Sequence, residues 1–296
     1  MNRINGVLDE KPSVLLYDYD VVCGNGESVE LPEEFTIPRD RIPDCRDQQT
    51  TGQCVAFSTT NIMQILNEIE TGKRERFSTT YVYGRHRDEH ERNLVGMYPE
   101  KVLSKMCKMG SVKESDLPVL LEVPEAYDYV QSHPELSELD EEAETYKIAT
   151  YVGFTSADKD KKINDIKTAL LTYELPLLGI MDIPDGSHAI SLIGWDKTGF
   201  TYMNSWGEEV GDKGICHVKY KFLRRAYLMI DATNVKEFPF VDVPSGHWAK
   251  HAIEHCYNAG LVNGMDEAHF CPDEPLTRAQ LCQILYNTVK KSENGR

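Results

Sequence analysis

No CxxC pair occurs in this chain, although 8 cysteines are spread through its 296 residues. Zinc knuckles and thioredoxin-like redox sites need that spacing, so neither is expected, and no metal site is assigned. No run approaches the roughly 20 apolar residues that span a bilayer, so membrane insertion is not expected. Residues 1–22 have no cationic start, continuous apolar core or small-residue cleavage site of the secretory kind, and the expectation is a soluble, untargeted chain. Positive charge is scarce: 32 Lys and Arg face 48 Asp and Glu, for a formal net charge of -16. That balance opposes binding to nucleic acid or an anionic membrane surface, since both are themselves negative. A chain of this length also needs no disulfide staples, so mostly free thiols are expected.

What is present divides into four regions. Residues 1–30 contain a β-prone stretch at 14–22 that ends in the turn-forming Gly24-Asn25-Gly26. From Cys54 to Glu70, Val55, Ile62, Ile65, Leu66 and Ile69 recur at helical spacing, with Gly72 as a stop. Further helices are expected near 79–92, 98–109 and 160–173, and the acid-rich 135–144 reads as a solvated face or loop. From residue 146 the pattern turns to short β-runs at 146–154, 177–183, 189–195, 200–204 and 215–220. After Lys236 two short helical patterns, 247–259 and 277–290, form a separate small module.

Cys54, which opens the first long helix, carries the chemistry. A free thiol is only slightly ionised at neutral pH, and a helix start with an adjacent imidazole is a setting that lowers its pKa. His188 begins a β-run after the turn-prone Pro184-Asp185-Gly186 and is the candidate base. Its ring needs a third group to fix tautomer and orientation. Asn204 lies beyond the turn Asp196-Lys197-Thr198-Gly199, where strand pairing brings it back beside His188. Trp206 is positioned to shield that pair from water. The Gln48 side chain and the Cys54 backbone N–H are the candidate oxyanion donors.

The block from Gln48 to Phe57, Phe77-Ser78-Thr79-Thr80-Tyr81, Gly96-Met97-Tyr98, His188, and the Asn204 block ending in Gly211-Asp212-Lys213-Gly214 together resemble a papain-like (C1 family) cysteine peptidase. Cys54 and His188 are separated by the roughly 130 to 150 residues typical of that family. The resemblance implies an α+β, two-lobed fold, a helical lobe beside a β-barrel-like lobe, over residues 31–235. It also implies peptide-bond hydrolysis without a cofactor, a peptide or protein substrate, and a groove edge at Gly96 and Met97. Thr51 and Val55 depart from the family's second cysteine and following aromatic, and Val210 from its second Trp; none removes a catalytic group. The family's nucleophile lies about 25 residues into the mature chain, so residues 1–30 are an extension. Residues 13–22 are read in two ways: as a blocking strand in or near the cleft, as in a zymogen, or as a tail or added edge strand.

Phe240, Asp242-Val243, Trp248-Ala249, Ala252-Ile253, Gly260-Leu261-Val262, Gly264, Phe270, Pro272, Pro275 and Thr277-Arg278-Ala279-Gln280 resemble an S-layer homology (SLH) module, here spanning 238–291. That resemblance implies bacterial cell-wall polysaccharide as a partner and points to the cell surface, with Trp248 and Arg278 either glycan contacts or, respectively, a core residue and a helix cap or brace; the N-terminus shows no export signal, which leaves the cytoplasm or an unusual export route. Oligomeric state is left open. His86-Arg87-Asp88-Glu89-His90 matches a zinc-peptidase string, but Arg85, Arg87 and Arg92 would crowd a dication. Two rival functions remain: a wall-binding protein with a vestigial peptidase domain, and an acyltransferase using the same thioester.

Overall fold

The structure is a computed structural model that describes residues 6–8, 17–18, 30–121, 125–184, 186–230, 240–244, 249–250, 253, 256–257, 261–266 and 268–293. These fall into two compact units, one within Met1–Leu16 and Leu31–Asp231, the other within Tyr17–Glu30 and Ala232–Arg296. No helix among the described residues is long and apolar enough to cross a membrane.

The larger unit begins with a short strand, β1 (Phe35–Thr36), and is organised around α1 (Cys54–Thr71), whose residues from Cys54 to Asn67 are buried. Apolar side chains line that helix on several sides, so neighbours must cover it all round. Its buried Thr59 and Thr60 turn their hydroxyls back onto the carbonyls of Val55 and Ala56, each at 2.8 Å, which removes the cost of burying them unpaired. Gly72 ends the helix in the left-handed region, φ 70, where a residue without Cβ carries no strain.

Ser78 caps α2 (Thr79–Arg85) by accepting the Tyr81 N–H at 3.1 Å. The helical pattern read over 79–92 stops at Arg85, and a separate turn occupies Glu89–Glu91. α3 (Pro99–Met109) follows, then α4 (Glu125–Gln131) and α5 (Leu136–Ala143). The last two close a satellite core of Tyr81, Val112, Leu117, Val130, Leu139 and Ala143. The acid-rich stretch is therefore helical, with Leu139 and Ala143 inward and Asp140 accepting from Tyr81 Oη at 2.7 Å and Arg85 Nη2 at 2.7 Å.

The second half builds an antiparallel sheet from β2 (Thr150–Gly153), β3 (Leu177–Ile183), β4 (Gly186–Trp195), β5 (Gly199–Met203), β6 (Ile215–Lys219) and β7 (Leu223–Ile230), with α6 (Lys159–Tyr173) between β2 and β3. The order is β2-β7-β3-β4-β5-β6, and β1 pairs with the far end of β4. Strand β7 was not among the expected runs, because Arg224 and Arg225 interrupt its apolar pattern. Two registers position the site: Met181 opposes His188 between β3 and β4, and Ser191 opposes Met203 between β4 and β5. Asp196 ties the β4–β5 turn by accepting the N–H groups of Thr198 and Gly199 at 2.6 and 3.1 Å.

The smaller unit has its own core of Phe240, Val243 and Ile253, with Ala249, Tyr257 and Phe270 packed against it. Asp242 receives the backbone N–H groups of Phe270 and Cys271 at 2.9 and 2.7 Å. Thr277 and Gln280 cap the start of α7 (Arg278–Glu293) reciprocally, at 3.2 and 2.8 Å, the pattern expected of T-x-x-Q before a helix.

Candidate active site

Cys54 is the first residue of α1 and is fully buried. Its Sγ receives the backbone N–H of Ala189, the residue after His188, at 3.4 Å. Helix start and strand end, far apart in sequence, therefore meet at the sulfur. His188 is itself fully buried, and its Nε2 lies 2.9 Å from Asn204 Oδ1. The same Oδ1 accepts the Ser205 backbone N–H at 2.8 Å. A backbone N–H can only donate, so that atom is the amide oxygen and His188 Nε2 must be the ring's protonated nitrogen. Nδ1 is thereby left as the ring's basic nitrogen.

The Asn204 amide has a further partner, because its Nδ2 faces Cys216 Sγ at 4.0 Å, while Cys45 Sγ donates to the Asn204 backbone carbonyl at 3.1 Å. Trp206 stacks on the His188 ring with centroids 4.4 Å apart and planes 25° from parallel. Gln48 is buried, and its side chain spans two segments: Nε2 donates to Thr51 O at 2.5 Å and Oε1 accepts from Ser205 Oγ at 2.5 Å. Its backbone N–H also donates to Ser205 O at 2.8 Å. The loop before Cys54 is thus tied to the segment that carries Asn204.

Arg46 anchors the same loop from behind. Its guanidinium reaches Glu114 at 3.0 Å, Thr60 Oγ1 at 2.6 Å, Asn61 Oδ1 at 2.8 Å and Phe77 O at 3.2 Å.

Gly96 and Met97 form an edge that is occupied by the chain itself. The Met97 N–H donates to Gly6 O at 2.8 Å and Met97 O accepts the Leu8 N–H at 2.9 Å, so Val7 pairs with Met97 in parallel. Gly6 also donates its backbone N–H toward Cys54 Sγ. A Cβ on Gly6 would lie 2.2 Å from Gly52 O and 2.8 Å from that sulfur, so only glycine fits so close. The segment across the nucleophile is therefore Gly6–Leu8; of 13–22 only Tyr17–Asp18 are described, as a short strand.

Burial pushes the Cys54 thiol up to about 11, against the lowering effect of the N–H groups of Ala189, Gly6, Val55 and Cys54 itself. The sequence led us to expect a lowered value. Desolvation by burial outweighs the helix start.

The zinc-type string does not converge. His86 is buried with Nε2 2.9 Å from Gly110 O, whereas His90 is exposed. No cluster of three or more His, Cys, Asp or Glu suited to a metal occurs among the described residues. The described cysteines are free. Arg278 is exposed at the start of α7, while Trp248 lies outside the described residues.

A family model described as papain family cysteine protease matches residues 31–226, and one described as S-layer homology domain matches residues 239–282. Among solved structures, the chain is similar to xylellain, a cysteine protease from Xylella fastidiosa, with TM-score 0.62 and 18% identity over 77% of this chain and 96% of that one. It is also similar to the proform of the ragweed pollen cysteine protease Amb a 11, with TM-score 0.52 and 16% identity over 70% of this chain and 67% of that one. A stretch of 54 residues is 39% identical to the outer membrane protein SlpA of Thermus thermophilus. That match takes in 18% of this chain and only 6% of SlpA. The fold is accordingly α+β and papain-like.

Proposed function

The chain belongs to the papain family of cysteine proteases, and from that premise we propose that it is an endopeptidase made in a self-blocked form. Cys54 attacks the scissile carbonyl, and His188 Nδ1 takes the thiol proton and later returns it to the leaving amine. Asn204 holds the ring in that tautomer, and Trp206 keeps water from the His–Asn bond. Gln48 Nε2 carries two N–H groups; one is held by Thr51, and the other, with the Cys54 backbone N–H, supplies donors to the oxyanion. Water then hydrolyses the thioester. The observation that carries this reading is the bond from His188 to an Asn204 oxygen whose identity Ser205 fixes.

Residues 6–8 block the site by occupying the edge that an extended substrate would use. They also bring the Gly6 N–H to the sulfur. The domain reading is an extension over 1–30, a peptidase domain over 31–235 and an SLH-like module over 238–291. The SLH match supports anchoring to bacterial cell-wall polysaccharide, with Trp248 and Arg278 as glycan contacts.

Incubation with E-64, with which a cysteine protease of Carica candamarcensis has been crystallised, tests the nucleophile by intact mass. One adduct on Cys54 in a Gly6→Val chain supports the reading; no adduct, or one retained in Cys54→Ala, sinks it. Product mass in the presence of a competing amine separates hydrolysis from acyl transfer. Pull-down on purified cell walls, comparing the whole chain with one ending at Lys236, tests anchoring; equal retention refutes it.

A further inference from the structure

Behind the edge formed by Gly96 and Met97 lies a buried cation that the chemistry above does not use. Arg87 is 4% exposed, and among the described residues no carboxylate pairs with it. The nearby Glu91 carboxylate is held by Lys101 at 2.7 Å. Arg87 Nη2 instead donates to the backbone carbonyls of Glu91 and Leu94. Its guanidinium carbon sits 4.4 Å from the centroid of Tyr83. Tyr83 is fully buried, and its hydroxyl accepts the Gly96 N–H at 3.2 Å.

A buried guanidinium without a carboxylate is costly to hold, so the carbonyls and the ring face that compensate it are fixed in place by the cation. Leu94 and Gly96 flank Val95 on one loop, and the two side chains hold that stretch at both ends. Gly96 has φ 103, a conformation other residues rarely adopt, and it leads directly into Met97. The N–H and C=O of Met97 are the groups that receive residues 6–8.

We propose that Arg87 and Tyr83 are positioning residues that set how firmly Met97 grips an extended peptide, whether that peptide is substrate or the chain's own residues 6–8. The inference rests on reading Gly96 and Met97 as the substrate edge. Pinning the loop in advance removes ordering entropy from binding. It acts on ground state and transition state alike, so its loss appears in KM and not in kcat.

The test uses the full-length chain. In a Gly6→Val background, with the best-cleaved peptide of a fluorogenic library, Arg87→Met raises KM about tenfold and Tyr83→Phe about threefold, with kcat held within about twofold. In the chain that retains Gly6, Arg87→Met speeds iodoacetamide alkylation of Cys54 about tenfold, because the blocking segment is gripped less tightly. Should Arg87→Met fail to fold, Tyr83→Phe, which deletes one hydroxyl, carries both measurements. Unchanged KM and unchanged alkylation in a folded variant, or a loss confined to kcat, would overturn the proposal. If the Gly6→Val chain cleaves no peptide, the peptidase reading fails, and the alkylation rate still decides whether the brace exists.

Discussion

Replacing Gly6 by valine should uncover Cys54 without removing any part of the chain. The segment is held over the nucleophile by the bond from Met97 to Gly6 at 2.8 Å, the bond from Leu8 to Met97 at 2.9 Å, and the Gly6 N–H toward Sγ. At about 1 kcal/mol each, these contribute about 3 kcal/mol, which corresponds to roughly a hundredfold bias toward the covered state. A side chain at Gly6 removes all three together, since its Cβ would meet Gly52 O at 2.2 Å. The assay is the second-order rate of iodoacetamide alkylation of Cys54 at pH 7.5, resolved from the other cysteines by peptide mapping. The rate should rise about a hundredfold or more. The pH profile should change with it. The covered thiol titrates at about 11, so its reactivity climbs through the alkaline range, whereas the uncovered thiol beside His188 should react as thiolate below about pH 8. Equal rates in the two chains, with the alkaline midpoint retained, would refute the reasoning.

Asn204→Ala should lower kcat about a hundredfold in the Gly6→Val background while KM stays within about threefold, because the His188 tautomer is lost and the substrate edge is untouched; steady-state kinetics decides. Arg46→Met should destabilise the larger unit by about 3 kcal/mol, since Glu114 is left without its partner, as measured by the urea midpoint. His86 is held by burial at about 3, below its ordinary 6.5. The unfolded chain therefore takes up a proton below about pH 6.5 that the folded chain refuses, and stability should fall by about 1.4 kcal/mol per pH unit between there and pH 3. His86→Gln should flatten that acid slope in urea titrations; an unchanged slope contradicts the assignment.

The convergence of Cys54, His188, Asn204 and Trp206 was legible in the sequence because residue type and order carry it. Cys54 opening an apolar helix, His188 opening a strand, and Asn204 and Trp206 beyond a polar turn need only pairing rules to converge. The reading of 13–22 rested on its β-prone side chains and falls mostly outside the described residues, whereas Gly6–Leu8 meets Met97 through backbone groups that leave no side-chain signature. The last strand escaped notice because Arg224 and Arg225 break its apolar pattern. Helix α4 was not among the expected helices, in a segment that Pro118, Pro124 and Pro134 break up. The brace behind Met97 could not be read at all, since Arg87 binds carbonyls that only the folded loop brings to it, and in sequence it counted merely as a charge crowding a false zinc motif. Cys54 taught the opposite lesson: its helix start was read correctly, but burial, which sequence does not report, reversed the expected direction of its pKa.

Turnover of a peptide library by the Gly6→Val chain, beside the same chain carrying Cys54→Ala, bears most directly on the central claim. A sulfur nucleophile served by His188 predicts internal peptide-bond cleavage in the first and a loss of more than about a thousandfold in the second. Cleavage that survives the loss of the thiol would contradict it.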